Sequence, residues 1–203
     1  NNPIYKSVYK INSILKKRVL KYNKDIYYSY PRETFYKITQ EYLEKLVECS
    51  LPDKKTDTIL AESLSSLNPI KVLKYFTSAK MIIVHRDPRD SFCNLINEYS
   101  NFFPKKIEHY IKLYKDMQIS TYENTKSDSV LRIKFEDLIL KYDETKKIVF
   151  DFLGIDESDH INKFQYFDPK ISINNVGIWK KYKNHDEMNK IYTDLTDYCY
   201  PRT

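Results

Sequence analysis

Two arginines and two aspartates lie within residues 86–90, directly behind a short apolar run. That run, Met-Ile-Ile-Val at residues 81–84, predicts a buried strand. Pro88 and Asp90 favour the start of a helix immediately afterwards. Arg86 is therefore expected at the carboxyl end of a strand and beside a helix N-terminus. Such an arginine can bind a phosphate or sulfate ester, because it adds a forked charge to the free N–H groups and the positive dipole end of the helix.

The 86–90 run also has a simpler interpretation. Its charges can pair with one another in solvent and cap the helix, and exposed pairs of this kind contribute little to stability. The two interpretations differ in whether the charges are buried. We favour the anion site, because an apolar strand delivers Arg86 to a defined place.

The composition is that of a globular protein with one domain. The chain has 203 residues, of which 41% are hydrophobic and 31% are charged, and this is enough for one substantial core. No apolar run has the length of a membrane span, and no signal-peptide pattern is present. The net charge of +6 suits an anionic ligand, but its spread along the chain does not indicate nucleic-acid binding.

The cysteines, histidines and glycines restrict the chemistry further. Three cysteines and four histidines are scattered without metal-ligand spacing, so we expect no metal site and a reducing compartment. Gly154 and Gly177 are the only glycines, which excludes a glycine-rich phosphate loop within these residues. Because the chain begins with Asn1, we expect that such a loop either lies upstream or does not exist in the protein.

Hydrophobic periodicity predicts strands that alternate with helices. Apolar positions three to four residues apart predict helices at 4–22, 33–48, 70–76, 92–99, 107–117 and from Asp186, and another that Gly154 ends. Short apolar or alternating runs predict strands at 26–30, 58–61, 81–85 and 130–133. This order predicts an α/β fold with a parallel sheet. We interpret residues 1–203 as one domain that lacks its first strand–helix unit.

Three segments, in this order and at this spacing, resemble one known family. They are residues 82–90, residues 131–138 with the Phe-Leu-Gly at 152–154, and residues 175–180. Together they resemble the sulfotransferases that use 3′-phosphoadenosine-5′-phosphosulfate. The resemblance implies a P-loop NTPase-like fold, in which helices flank a parallel sheet in three layers, without ATP hydrolysis.

The resemblance assigns Arg86 to the 3′-phosphate of the donor. In the family a serine on the following helix contacts the same phosphate, and Asn94 takes its place here. An asparagine side chain can also donate an N–H group, and Ser91, one turn earlier, is the alternative donor. Without a ligand role, Asn94 would be an ordinary exposed helix residue.

Phe135 and the C-terminal loop complete the implied donor site. Phe135 corresponds to an aromatic residue near the adenine and could stack on the base, or it could be a core residue beside the strand. Residues 177–180 match the Gly-x-Trp-Lys loop that closes over the donor phosphate, although Trp179 could equally be a core residue. The Arg-Lys-Gly that usually precedes this loop is Ser-Ile-Asn here, so we expect Lys180 and Lys181 to supply the charge.

Two glutamates are candidates for the general base that removes the acceptor hydroxyl proton. Glu33 lies in a stretch that resembles the Lys-Glu-x-x-Phe of carbohydrate sulfotransferases, where the glutamate is the base. Glu62 lies in a stretch that resembles Glu-Lys-Ser/Thr-Pro, although Ser63 stands where the family has lysine. Either glutamate could simply place a negative charge at a helix N-terminus. We prefer Glu33 as the base.

The predicted function is transfer of a sulfuryl group from 3′-phosphoadenosine-5′-phosphosulfate to a hydroxyl acceptor, with saccharides as the expected acceptor class. The alternative is a catalytically inactive relative that binds a nucleotide or a partner. A kinase would need a Walker loop and magnesium ligands, and no motif indicates nucleic-acid binding. The expected partners are the nucleotide donor and the acceptor, without a metal. The expected location is the cytoplasm, or the Golgi lumen if an anchor lies upstream.

Overall fold

A computed structural model of the protein describes residues 31–50, 68–98, 106–122 and 127–201. The chain divides into two compact units, residues 1–35 and 36–203. The predicted helix at 4–22 and the predicted strands at 26–30 and 58–61 lie outside the described residues. The single domain over residues 1–203 stays a prediction.

Strands and helices alternate along the described part of the chain. They are α1 (Arg32–Ser50), α2 (Pro69–Leu73), β1 (Met81–His85), α3 (Pro88–Glu98), α4 (Ile107–Tyr122), β2 (Val130–Lys134), α5 (Phe135–Leu140), α6 (Tyr142–Leu153), α7 (Pro169–Ser172) and α8 (His185–Asp194). Short 3₁₀ turns lie at Glu157–Asp159, Ile173–Asn175, Ile178–Lys181 and Thr196–Tyr198. No helix in these ranges is long and apolar enough to cross a membrane.

The two described strands pair in parallel. Met81 lies opposite Val130 and His85 lies opposite Lys134, so both strands end at the same edge. This confirms the α/β prediction with a parallel sheet. The prediction that the apolar run is buried throughout is wrong, because Val84 is 52% exposed whereas Ile83 is buried. Neighbouring side chains of a strand face opposite sides of the sheet, and the side that carries Val84 is left partly uncovered.

A hydrophobic core joins α3, α4 and α8. Its buried residues are Phe92, Cys93, Ile107, Tyr110, Ile111, Met188, Ile191 and Leu195. The rings of Phe92 and Tyr110 pack with their centroids 4.9 Å apart. Burial of a large apolar side chain contributes about 1.5–3 kcal/mol, so this core holds the start of α3 firmly against the C-terminal part of the chain.

Most helix ends differ from the predicted ones by one to five residues, and two of these differences bear on the packing. α2 ends at Leu73, so Phe76 lies beyond it. α8 begins at His185 rather than Asp186. The reason for the second shift is that the Asn184 side chain accepts a hydrogen bond of 3.3 Å from the Glu187 amide and thereby caps the helix one residue earlier.

Gly154 ends α6, as the sequence predicts. Its φ of 78° places it in the left-handed region, and its amide donates to the Phe150 carbonyl at 2.8 Å. Glycine adopts this conformation without the steric cost that a Cβ brings.

Replacing Gly154 with alanine should lower the free energy of unfolding by about 1 kcal/mol. A Cβ at this position would meet no atom within 4 Å outside the adjacent residues, so the cost comes from the left-handed backbone conformation and not from a clash with the rest of the fold. Gly154→Asn should cost less, since asparagine tolerates the left-handed region. Urea denaturation measures both, and an alanine variant as stable as the wild type would contradict the assignment.

Candidate functional site

The charges at 86–90 lie between the end of β1 and the first turn of α3, and three of them are buried. Asp87 is 3% exposed, and Arg89 and Asp90 are each 1% exposed. The interpretation of this run as a solvated charge cluster is therefore wrong, although its charges do pair. Charges leave water only when hydrogen bonds and counter-charges compensate for the lost hydration, so the partners of each residue define its role.

Asp87 and Arg89 form a two-bond ion pair. Arg89 Nε donates to Asp87 Oδ1 at 3.0 Å, and Arg89 Nη2 donates to Oδ2 at 2.6 Å. Asp87 also accepts the amide of Tyr200 at 2.9 Å, while Arg89 donates to the Tyr200 carbonyl at 3.1 Å. The Arg89 guanidinium carbon lies 4.1 Å from the centroid of the Trp179 ring. Arg89 is thus committed to holding the turn against the C-terminal part of the chain.

Glu136 connects the ends of the two strands. It follows β2, is 1% exposed, and its Oε1 accepts the Asp87 amide at 2.8 Å. Its Oε2 is buried without a hydrogen-bond partner in the described part of the chain. Burial raises the pKa of the Glu136 carboxyl, and the hydrogen bond from the Asp87 amide opposes that shift. The sequence did not single out this residue.

Two tyrosines of α4 fix the backbone of the same turn. Tyr110 Oη donates to the Pro88 carbonyl at 2.6 Å, and Tyr114 Oη donates to the Arg86 carbonyl at 3.0 Å. Burial raises the pKa of both hydroxyls, which keeps them protonated and able to donate. The position of Arg86 is therefore set by α4 as well as by the end of β1.

Only part of the Arg86 side chain is engaged by other residues. Its Nη2 donates to the Asn175 carbonyl at 2.6 Å, and its guanidinium carbon lies 5.0 Å from the Phe135 ring centroid. Its Nε is buried, and no hydrogen-bond partner for it lies among the described residues. Arg86 thus has one buried N–H group for a ligand. Arg89 Nη1 is also buried without a partner among the described residues, but the Asp87 carboxylate already balances the charge of Arg89.

Asp90 binds the C-terminal loop. Its Oδ2 accepts the Gly177 amide at 2.7 Å, and its Oδ1 accepts the Trp179 amide at 3.0 Å. Burial raises the pKa of the Asp90 carboxyl, while these two amides oppose the shift. The loop predicted to close over the donor is thereby attached to the first turn of α3.

The structure brings several predicted site residues together. Arg86 and Phe135 are in contact, and the loop with Trp179 reaches Arg86 through Asn175 and Asp90. Lys180 and Lys181 lie on the 3₁₀ turn of that loop, and both are exposed. Trp179 packs against the hydrophobic core, so its interpretation as a core residue is supported by its surroundings.

Ser91 and Asn94 lie on α3, in its first and second turns. Both side chains are partly buried, which leaves open whether Asn94 binds a ligand or is an ordinary helix residue. The Ser91 amide donates to the Asp87 carbonyl at 2.9 Å as part of the helix start. A phosphate contact by either side chain stays a prediction.

The fold does not decide between the two candidate bases. Glu33 lies in the first turn of α1 and is exposed. This position also suits a simple interaction with the helix dipole. Glu62 lies outside the described residues. The identity of the base therefore stays a prediction.

A cavity of about 410 Å³ lies on the face of the sheet that carries His85, Arg132 and Lys134. Tyr114 and Gln118 of α4 also line it, whereas Arg86 does not. Arg132 Nη1 lies 2.8 Å from His85 Nε2. Burial first, and then Arg132 and Lys134, lower the pKa of His85 from 6.5 to about 4, so the imidazole is neutral at physiological pH and accepts from the guanidinium.

The residues whose contacts around Arg86 the sequence did not reveal are Asp90, Tyr114, Glu136 and Asn175. An aspartate in a first helical turn signals only a dipole interaction, and its loop partners lie 87 and 89 residues away. Within the described ranges, no group of three or more histidine, cysteine or acidic residues is arranged to hold a metal ion.

Comparison with known proteins identifies the family. The sequence model of the sulfotransferase family matches residues 15–159, which is more than half of the chain. The chain belongs to the sulfotransferase family. The matched range includes Arg86, Glu136 and Phe135, and it ends before the loop that Asp90 binds. No curated protein and no solved structure matches the chain.

The lowered pKa of His85 makes the stability of this sulfotransferase depend on pH. The unfolded chain binds a proton at His85 below about pH 6.5, whereas the folded chain does so only near pH 4. The stability contributed by neutral His85 is therefore present above pH 6.5 and is lost as the pH falls to 4. The full shift would correspond to about 3 kcal/mol, and partial solvent access reduces our expectation to roughly 1–2 kcal/mol.

Urea denaturation between pH 7 and pH 4 tests this expectation. The wild type should lose that stability, and His85→Gln should lack this part of the pH dependence, since glutamine does not titrate. An identical pH dependence in the two proteins would contradict the assignment to His85.

Proposed function

We propose that this sulfotransferase transfers a sulfuryl group from 3′-phosphoadenosine-5′-phosphosulfate to an acceptor hydroxyl, and that the acceptor is a saccharide. The observation that carries the proposal is the buried Arg86 Nε, a donor without a partner in the described residues. Leaving a buried donor unpaired costs about 1–3 kcal/mol. A phosphate oxygen would offset that cost with a charge-assisted hydrogen bond.

The contact between Arg86 and Phe135 suits this donor. The adenine and the 3′-phosphate of the donor are attached to the same ribose, so the groups that bind them must be neighbours. The Arg86 guanidinium and the Phe135 ring are 5.0 Å apart. In the proposed complex Arg86 binds the 3′-phosphate and Phe135 contacts the base, while Ser91 or Asn94 of the adjoining helix adds a further donor.

The C-terminal loop adds positive charge in this proposal. Lys180 and Lys181 stand in for the family's Arg-Lys-Gly and lie on a turn that is tied to α3 through Asp90. Transfer of a sulfuryl group needs cations near the oxygens on which charge develops and a general base for the acceptor proton. We assign the base to Glu33, whose stretch resembles that of carbohydrate sulfotransferases and supports a saccharide acceptor.

Removing the Arg86 guanidinium should weaken binding of 3′-phosphoadenosine-5′-phosphate by about tenfold to hundredfold. A hydrogen bond that involves a charged group contributes about 1.5–3 kcal/mol, and each 1.4 kcal/mol is about a factor of ten. Isothermal titration of the full-length protein with Arg86 and with Arg86→Ala measures the loss. Adenosine 5′-monophosphate, which lacks the 3′-phosphate, should bind both proteins equally.

Lys147→Ala is the control for a general loss of positive charge, because Lys147 is exposed on α6. It should leave both affinities unchanged. Equal affinity of Arg86→Ala and the wild type for the 3′-phosphorylated nucleotide would remove the proposed phosphate role. Binding of the nucleotide without turnover on any acceptor would favour an inactive relative.

The Glu33→Gln variant should lose roughly 10²–10⁴ in turnover, because the amide cannot accept the acceptor's proton. Its affinity for the nucleotide should be nearly unchanged. Labelled donor and a panel of saccharide and phenol acceptors measure the turnover. Glu62→Gln is the matched variant, and a large loss there with little loss in Glu33→Gln would assign the base to Glu62.

A further inference from the structure

The Asp90 carboxylate bridges α3 and the loop at residues 175–181. It is 1% exposed, and its two oxygens accept the Gly177 amide at 2.7 Å and the Trp179 amide at 3.0 Å. Gly177 has a φ of 72°, in the left-handed region. A left-handed residue followed by helical ones turns successive N–H groups towards one point. In this loop a carboxylate of the protein occupies that point.

The loop held by Asp90 also touches Arg86. Its Asn175 carbonyl accepts from Arg86 Nη2 at 2.6 Å. Its Lys180 side chain folds over Gly177, with Cε 3.5 Å from the place where a Cβ of residue 177 would lie. The Asp90 carboxylate therefore holds two backbone amides of the loop that contacts Arg86 and carries Lys180.

We propose that Asp90 is a positioning residue of the donor site, which holds the 175–181 loop so that the Asn175 carbonyl aims the Arg86 guanidinium. This inference rests on the proposed function, since it concerns the site assigned to the donor nucleotide. Asp90 itself needs no contact with the nucleotide. Its effect passes through two backbone amides and the Asn175 carbonyl.

Asp90 is not the sole anchor of the loop, so its effect on Arg86 can be tested separately from the stability of the fold. The Trp179 ring also packs on Arg89, at 4.1 Å from the guanidinium carbon, and against the hydrophobic core. These contacts keep the loop attached to the fold, whereas Asp90 fixes its backbone, including the Trp179 amide. Loss of the carboxylate should therefore loosen the loop and misplace Arg86 without unfolding the chain.

The Asp90→Asn variant of the full chain tests the inference. An asparagine offers one acceptor oxygen and places an N–H₂ group against the other amide. We expect affinity for 3′-phosphoadenosine-5′-phosphate to fall roughly tenfold, as for loss of a charge-assisted hydrogen bond. Affinity for adenosine 5′-monophosphate should not change. Trp179 is the single tryptophan of this sequence, so its fluorescence should become more accessible to acrylamide.

Two further variants complete the test: one is a matched control, and the other perturbs the same loop independently. Asp194→Asn makes the same chemical change on α8, where Asp194 pairs with Lys190 at 3.6 Å, and it should alter neither readout. Gly177→Ala strains the same loop without touching the buried carboxylate, and it should reproduce both effects if Asp90→Asn fails to fold. Circular dichroism checks the fold of each variant.

The outcomes separate this inference from the proposed function. A wild type that does not bind the 3′-phosphorylated nucleotide would overturn both. A wild type that binds, with folded Asp90→Asn and Gly177→Ala variants of equal affinity, would overturn the positioning role alone. The same conclusion would follow if acrylamide quenching rose while the affinity stayed constant, because Asp90 would then act on the loop without acting on Arg86.

Discussion

The buried ion pair between Asp87 and Arg89 is the interaction on which the rest of the described structure depends. Both residues are almost fully inaccessible, and removing one partner of such a pair costs about 3–5 kcal/mol, since the other charge stays buried. The pair is tolerated because the Tyr200 backbone supplies one further donor and one further acceptor. It thereby closes the turn between β1 and α3 against the C-terminal part of the chain.

The two arginines of this turn are held in different ways. The charge of Arg89 is paired with Asp87, and its guanidinium packs on the face of the Trp179 ring. Arg86 lies beside a loop carbonyl and an aromatic ring, with a buried Nε left over. The acidic neighbours Asp90 and Glu136 are engaged by backbone amides. The turn thus combines a buried ion pair with a second arginine that keeps a buried donor, an arrangement that suits the anion site proposed for Arg86.

Much of the local structure could be predicted from the sequence, because it depends on neighbouring residues. The two strands, their parallel order, and the end of α6 at Gly154 all follow from apolar runs and one glycine. The position of Arg86 at a strand end follows from the same pattern. The burial of the charges at 86–90 could not be predicted, because a charge run in a sequence is compatible with solvent or with distant partners.

The sequence alone predicts the two paired strands, the main helices around them and the arginine that follows the first strand, since those features arise from periodicity and short-range sterics. Which charges are paired or hydrogen-bonded depends on the tertiary structure, because their partners are distant in the sequence. Asp90 meets amides 87 and 89 residues away, and Glu136 meets Asp87 across the ends of two strands. Such pairings depend on the packing of α3, α4 and α8 around one core, which sets the distances that hydrogen bonds require.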